Sequence, residues 1–255
     1  MPDFGAKILR GYAIAILAIA VAWSIAYYAL RLPAYLLPAP HKVLEALIER
    51  RNEVLAHASI TAAEAFIGLL AAIAFGLTTG IVLFRFQVAA RITMPILVAT
   101  QAVPIIATAP IFMLWFGSGL LSKIILGAVL CYFPILVATL KGLGQYSGEA
   151  VESMRVQGAS QSEIFWMATL PGSVPAIMNG IRTAAAMALM GAIVAEYAGA
   201  SRGLGYLIIQ SSYRTDTIML FSALVVSVFC SMILISIVEI FEQVFLRPFI
   251  QTSSS

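Results

Sequence analysis

The stretch GEAVESMRVQGASQSEIFWMATLPGSVPAIMNGIRTA, residues 148–184, places a polar, punctuated island between two long apolar segments. Glu149, Glu152, Arg155, Gln157, Ser160, Gln161, Ser162 and Glu163 gather there. Leu143-Gly144 and Gly148 read as breakers ahead of it, and Ser147 or Glu149 is placed to cap the helix after them. The pattern is helical over 149–156, and Gly158 interrupts it. Ser160 or Ser162 can open a second short helix with Ile164, Phe165 and Met167 on its apolar side. Leu170-Pro171 is expected to end that helix, and Pro175 precedes the next apolar run. The island reads as helix, glycine hinge, helix, proline stop.

The rest of the chain decides the solvent. Its 255 residues are 61% hydrophobic and only 11% charged, with mean hydropathy +0.97, against about 25% charged residues in soluble domains. Such a chain cannot cover a water-facing surface, so a bilayer is expected. A net charge of +3 without a long basic run gives no nucleic-acid partner. Cys131 and Cys230 sit in apolar runs and read as small buried hydrophobes.

Six stretches reach the length of about 20 residues that a membrane helix needs: 11–30, 62–84, 92–116, 122–140, 177–199 and 217–241. The first follows Lys7 and Arg10 but is longer than a signal-peptide core and lacks a small-residue cleavage site, so it reads as a retained helix. The expected fold is an all-α integral membrane protein with six transmembrane helices. Residues 1–61 would hold the first span and a surface helix, and 62–245 the core with a loop at about 141–176. Residues 246–255 would form a tail.

The gap at 31–61 opens with Pro33, Pro38 and Pro40, the last suited to a helix's first turn. Val43, Leu44, Leu47, Ile48, Val54 and Leu55 then oppose Lys42, Glu45, Glu49, Arg50 and Glu53, the pattern of a helix lying along the membrane surface. Lys and Arg divide evenly between the two sides of such a topology. Discounting the surface helix favours a cytoplasmic N-terminus, which puts the island in the cytoplasm.

Within the island, Glu152-Ser153-Met154 is separated by three residues from Gly158, and Gly158 by eleven from Leu170-Pro171. This spacing resembles the EAA signature of permease subunits of binding-protein-dependent ABC importers. Ser153-Met154 replace its two alanines and Ala168 its hydrophobe. LPAP at 37–40, ATQAVPIIATAPIFMLWFGSGLLSK at 99–123, YFPILVATLKGL at 132–143 and VAEYAGASRGLGYLI at 194–208 extend the likeness to the nitrate/taurine-type family. Within it the chain looks most like the branch serving riboflavin or thiamine-pyrimidine precursors. The resemblance implies a type I importer permease of the bacterial inner membrane, made of two permease copies, two cytoplasmic ATP-binding subunits and an external substrate-binding protein. In that picture 149–156 is the coupling helix. Glu149, Glu152, Arg155, Gly158, Leu170 and Pro171 would then serve contact with the ATP-binding subunit.

No catalytic or metal site is expected, and no cofactor. His41 and His57 are isolated, and no nucleophile–base pair is visible. None of Lys7, Lys42, Lys123 and Lys141 follows a glycine as a P-loop lysine must, so ATP hydrolysis falls to the partner subunits. Gln101, Pro104, Thr108 and Trp115 mark the third span as a pathway helix, since proline and amide groups in hydrocarbon need neighbours or cavity water. Pro134 is expected to break the fourth span. Gly76 and Gly80 suit close helix packing. Glu64 and Glu196 are read as near span ends, and the resemblance gives Glu196 a role at the outer mouth.

A stand-alone secondary transporter would place carboxylates deep in the spans, and none is read there. A membrane-embedded enzyme would need a reactive constellation, and none is read either. For the solute, the scarcity of cations along the spans, with Gln101, Thr108, Trp115, Tyr132 and Phe133, suits a neutral planar molecule better than nitrate, taurine or another sulfonate.

Overall fold

The computed structural model describes residues 2–145 and 149–246, with side chains left out at 2–10, 12, 149–150 and 245–246. Regular structure among those residues is helical, with no strand. The elements are α1 (Pro2–Leu30), α2 (Pro40–Glu49), α3 (Arg51–Arg85), α4 (Gln87–Thr100), α5 (Ile105–Phe116) and α6 (Leu120–Gln145). There follow α7 (Glu149–Val156), α8 (Gln161–Ile164), α9 (Leu170–Tyr197), α10 (Leu204–Tyr213) and α11 (Thr217–Phe241).

Five helical segments are long and apolar enough to cross a membrane, and α4 with α5 makes a sixth candidate bent by 101°. Glycine contacts show why the bent pair must cross. A Cβ on Gly68 would stand 3.3 Å from the Ile124 carbonyl, on Gly76 2.9 Å from Ile135, and on Gly80 2.6 Å from Thr139. Residue numbers rise together along both helices, so α3 and α6 run parallel. The chain between a parallel pair has to return to the starting face, and only α4–α5 lies between them. The third span is therefore a broken one, bent between Gln101 and Pro104.

The core is the seam of α3, α6 and α9. Ala65, Leu69, Ala72, Cys131, Ile135, Ile181, Ala184 and Ala188 are buried together, with Leu234 and Val238 of α11 closing one side. Small residues hold the axes close, since lipid tails give no hydrophobic drive for helix association and packing must supply it. α9 runs antiparallel to α6: Gly142 meets Ser173, while Gly191 meets Gly127 at the other end. α1 stands apart, with no buried residue over 13–30. Trp23 ties it down, its indole N–H donating to the Pro38 carbonyl at 3.1 Å and its ring lying 5.4 Å from Phe221.

Several expectations change. Pro134 lies inside an unbroken α6, and Gly144 lies inside it too; Gly148 is outside the described residues. Leu170-Pro171 does not end a helix. A π turn at Phe165–Thr169 joins α8 to α9, and Leu170 N–H reaches the Phe165 carbonyl. This wider turn accommodates Pro171, and Pro175 is carried inside α9. Neighbouring helices support backbone that proline would break in isolation. The surface helix is shorter than expected: the chain breaks at Arg50, and Val54 and Leu55 belong to α3. Only Val43, Leu47 and Val54 of its apolar set turn inward, while Leu44, Ile48 and Leu55 are exposed. The division expected at residue 61 falls inside α3, and 247–255 lie outside the described residues.

Candidate coupling and translocation sites

The island folds on itself. Val151 of α7 packs with Ile164 and Ala168 in a small buried cluster flanked by Met154 and Ala159. Gly158 turns the chain at φ +82°, a conformation with a steric cost for any residue bearing a Cβ. Ser160 then caps α8 with a complete capping box. Its hydroxyl accepts from Glu163 N–H at 3.3 Å, and its own N–H donates to Glu163 Oε2 at 2.7 Å.

The opposite side of α7 is left outward. Glu152 and Arg155, 3.9 Å apart, are 72% and 55% exposed, and Val156 stands beside them at 83%. Glu149 opens α7; its side chain is outside the described set. Leu170 is half-buried against the core, and Pro171 follows the π turn, so neither shares α7's outward face. Two contacts bolt the island to the bundle. Phe165 is buried, stacks on Phe84 at 6.3 Å between centroids, and lies under the Arg85 guanidinium at 4.6 Å. Phe84 and Arg85 are the last residues of α3.

Of the pathway candidates, Gln101 and Pro104 stand at the bend, Thr108 lies in the first turn of α5 and Trp115 near its far end. Gln101 ends α4 and Pro104 opens α5, and both are exposed. Among the described residues the Gln101 amide reaches only the neighbouring Thr100 hydroxyl, at 3.5 Å. Thr108 donates to the Ile105 carbonyl at 2.8 Å, and Trp115 is 69% exposed beside Phe112. No residue of α4 is buried. A groove of about 690 Å³ between α3, α9 and α11, lined by apolar side chains such as Phe66, Ile73 and Leu234, touches none of these candidates.

Glu196 lies elsewhere. It is 1% exposed at the end of α9 and faces the start of α10. Three successive amides there find side-chain acceptors. Gly203 N–H donates to His57 Nδ1 at 2.9 Å, Leu204 N–H to the Thr61 hydroxyl at 2.7 Å, and Gly205 N–H to Glu196 Oε2. Thr61 in turn donates to Glu196 Oε1 at 2.6 Å. Such a cap satisfies the donors a buried helix start would leave orphaned. Glu196 thus anchors the start of α10 from inside the subunit.

Sequence reasoning missed most of this cluster. His57 reads as isolated in the sequence, Glu64 as a span-end group, and Lys123 only as a lysine that no glycine precedes. Glu64 is 2% exposed, well inside α3, and pairs with the buried Lys123 at 2.8 Å. The available signal was two opposite charges, each alone in an apolar run, which membrane burial drives together. Arg182, the cation of the fifth span, is likewise paired, with Glu242 and Asn179.

Residues 67–249 match the pattern of the "Binding-protein-dependent transport system inner membrane component" family. The chain belongs to that family. This permease is 34% identical over 202 residues to a probable ABC transporter permease protein of Haemophilus influenzae, covering 79% of this chain and 82% of that one. It is 35% identical over 187 residues to the formylaminopyrimidine transport permease protein ThiX of Halalkalibacterium halodurans, covering 73% and 74%. Further relatives are named as riboflavin, taurine and aliphatic-sulfonate transport permeases. Among solved structures, the inward-facing MetNI methionine ABC transporter superposes with TM-score 0.65 at 19% identity, over 79% of this chain and 98% of its own. That likeness supports the type I importer permease fold. The permease is thus a multi-pass membrane subunit of an ABC importer, a class whose partners include ATP-binding subunits.

Proposed function

We propose that two copies of this permease enclose a solute pathway, and that α7 seats in the ATP-binding subunit on the cytoplasmic side of a bacterial inner membrane. ATP is hydrolysed by two such subunits, and an external binding protein delivers the solute. The observation that carries this reading is the island: a capped helix pair with an outward charged face, fixed through Phe165 to the end of α3. The exclusion of a secondary transporter rested on spans without carboxylates, and buried Glu64 removes that premise. Family membership carries the class instead.

Gly158→Val tests the docking role. No atom lies within 4 Å of where its Cβ would stand, so the change acts through the positive φ and not through a clash. The variant should insert and dimerise as wild type, yet its assembled complex should lose ATP hydrolysis stimulated by the binding protein. Normal stimulation refutes the assignment.

For the solute, a neutral planar vitamin precursor fits the exposed Gln101, the half-buried Thr108 and the exposed Trp115 better than an oxyanion does. The alternative within the family is nitrate, taurine or another sulfonate. Titrating the cognate binding protein with riboflavin, an aminopyrimidine and taurine separates the two, and tight taurine binding alone would reject the aromatic reading.

A further inference from the structure

One face of α9 is turned away from the bundle. Pro175, Asn179, Thr183, Ala186 and Met190 are exposed at intervals of three and four residues, a single stripe along the helix. Four residues further on, Val194 packs against the cluster of Ala109, Leu126 and Ala195, where α5 meets α9. The stripe therefore runs toward the helix that carries Thr108 and Trp115. Its two polar side chains are oriented by neighbours. Asn179 Oδ1 accepts from Arg182 Nη1 at 3.1 Å, and the Glu242 carboxylate takes Arg182 Nη2. A guanidinium only donates, so the Asn179 atom turned to it is the oxygen, and the amide nitrogen keeps two N–H donors. Among the described residues no hydrogen bond takes them up. Thr183 donates its hydroxyl hydrogen to the Asn179 carbonyl at 2.9 Å, which leaves its oxygen as an acceptor. Facing lipid tails, these groups would lie unpaired in hydrocarbon, at a cost.

We propose that Asn179 and Thr183 form a donor–acceptor subsite on the solute pathway, taking a solute edge that presents a carbonyl beside an N–H, as an amide-type edge of a planar heteroaromatic ring does. This rests on the reading that two copies enclose a pathway for a neutral planar solute. Asn179 Nδ2 donates to the carbonyl and the Thr183 oxygen accepts from the N–H. Residues four apart on one helix face stand about 5–6 Å apart at Cβ, close enough to hold one ring edge between them. Glu242 answers the Arg182 charge, so the subsite offers hydrogen bonds and no unpaired cation for an oxyanion. Arg182 is a positioning residue: it fixes which way the Asn179 amide points and leaves the N–H groups for the solute.

The test measures uptake of riboflavin, an aminopyrimidine and taurine by proteoliposomes holding permease, ATP-binding subunits and binding protein together. Asn179→Asp keeps the oxygen that Arg182 requires but removes both donors, and Thr183→Val removes the hydroxyl at similar shape. Each variant should dimerise as wild type and lower uptake of the aromatic solute about tenfold, the loss of one hydrogen bond. Thr183→Ser keeps the hydroxyl and should retain uptake. Wild-type uptake by either Asn179→Asp or Thr183→Val overturns the subsite. So does equal loss in Thr183→Ser and Thr183→Val, and so does a variant that no longer dimerises, which would set the stripe against the second copy. Failure of the underlying reading shows in the wild type instead: a complex that takes up taurine alone removes the neutral solute, and the subsite with it.

Discussion

A side-chain amide in a membrane protein is informative when little in its own subunit answers it. Gln101 is such a residue, with the adjacent Thr100 hydroxyl in reach at 3.5 Å and no other bond among the described residues. An interhelical bond to a second copy would be worth only about 0.6–2 kcal/mol, so Gln101→Leu should leave expression and dimerisation intact. A pathway role predicts altered uptake or selectivity for that variant, and for Thr108→Val, in one vesicle assay. Wild-type uptake of each relative's named solute by both variants would make the α4–α5 bend a packing feature. Gly205 behaves oppositely. A Cβ there would run into the Ile193 carbonyl and the Glu196 side chain. Gly205→Ala should therefore lower assembled permease in the membrane, read by size-exclusion chromatography.

Between elements, the contact that matters most is Phe165 against Phe84 and Arg85, because it ties the island's π turn to the end of α3. Phe165→Ala removes packing worth on the order of 3 kcal/mol. It should uncouple ATP hydrolysis from uptake while α7 keeps its outward face. Preserved coupling would show that α9 alone carries the motion. The island was legible in sequence because its signals are local: the capping serine, the glycine turn and the helical period each act within a few residues. The prolines misled because their cost depends on neighbouring helices, which let α6 and α9 continue through Pro134, Pro171 and Pro175. The Thr61–Glu64–Lys123–Glu196 cluster was illegible for a related reason. Its members come from three helices, and no spacing along the chain announces which charges will meet.

For the whole molecule, the parallel run of α3 and α6 fixes six crossings and puts the island and the start of α10 on opposite faces. Single-cysteine labelling in a background of Cys131→Ala and Cys230→Ala checks this. Ser211 is buried, so the exposed Ser212 is the better reporter. A cysteine at Ser160 should be protected from an impermeant reagent in intact cells and one at Ser212 should react; the inverse result would turn the protein over in the membrane. The parallel pair also sets a clock on biosynthesis. Glu64 leaves the ribosome 59 residues ahead of Lys123, about 3–12 s at ordinary elongation rates. For that interval α3 sits in or beside the translocon with its carboxyl unanswered, and the bent α4–α5 segment must thread back before the ammonium arrives. Slow codons or a stall between those two positions would therefore expose a half-made, charge-bearing helix to membrane proteases, a vulnerability set by the order of synthesis alone.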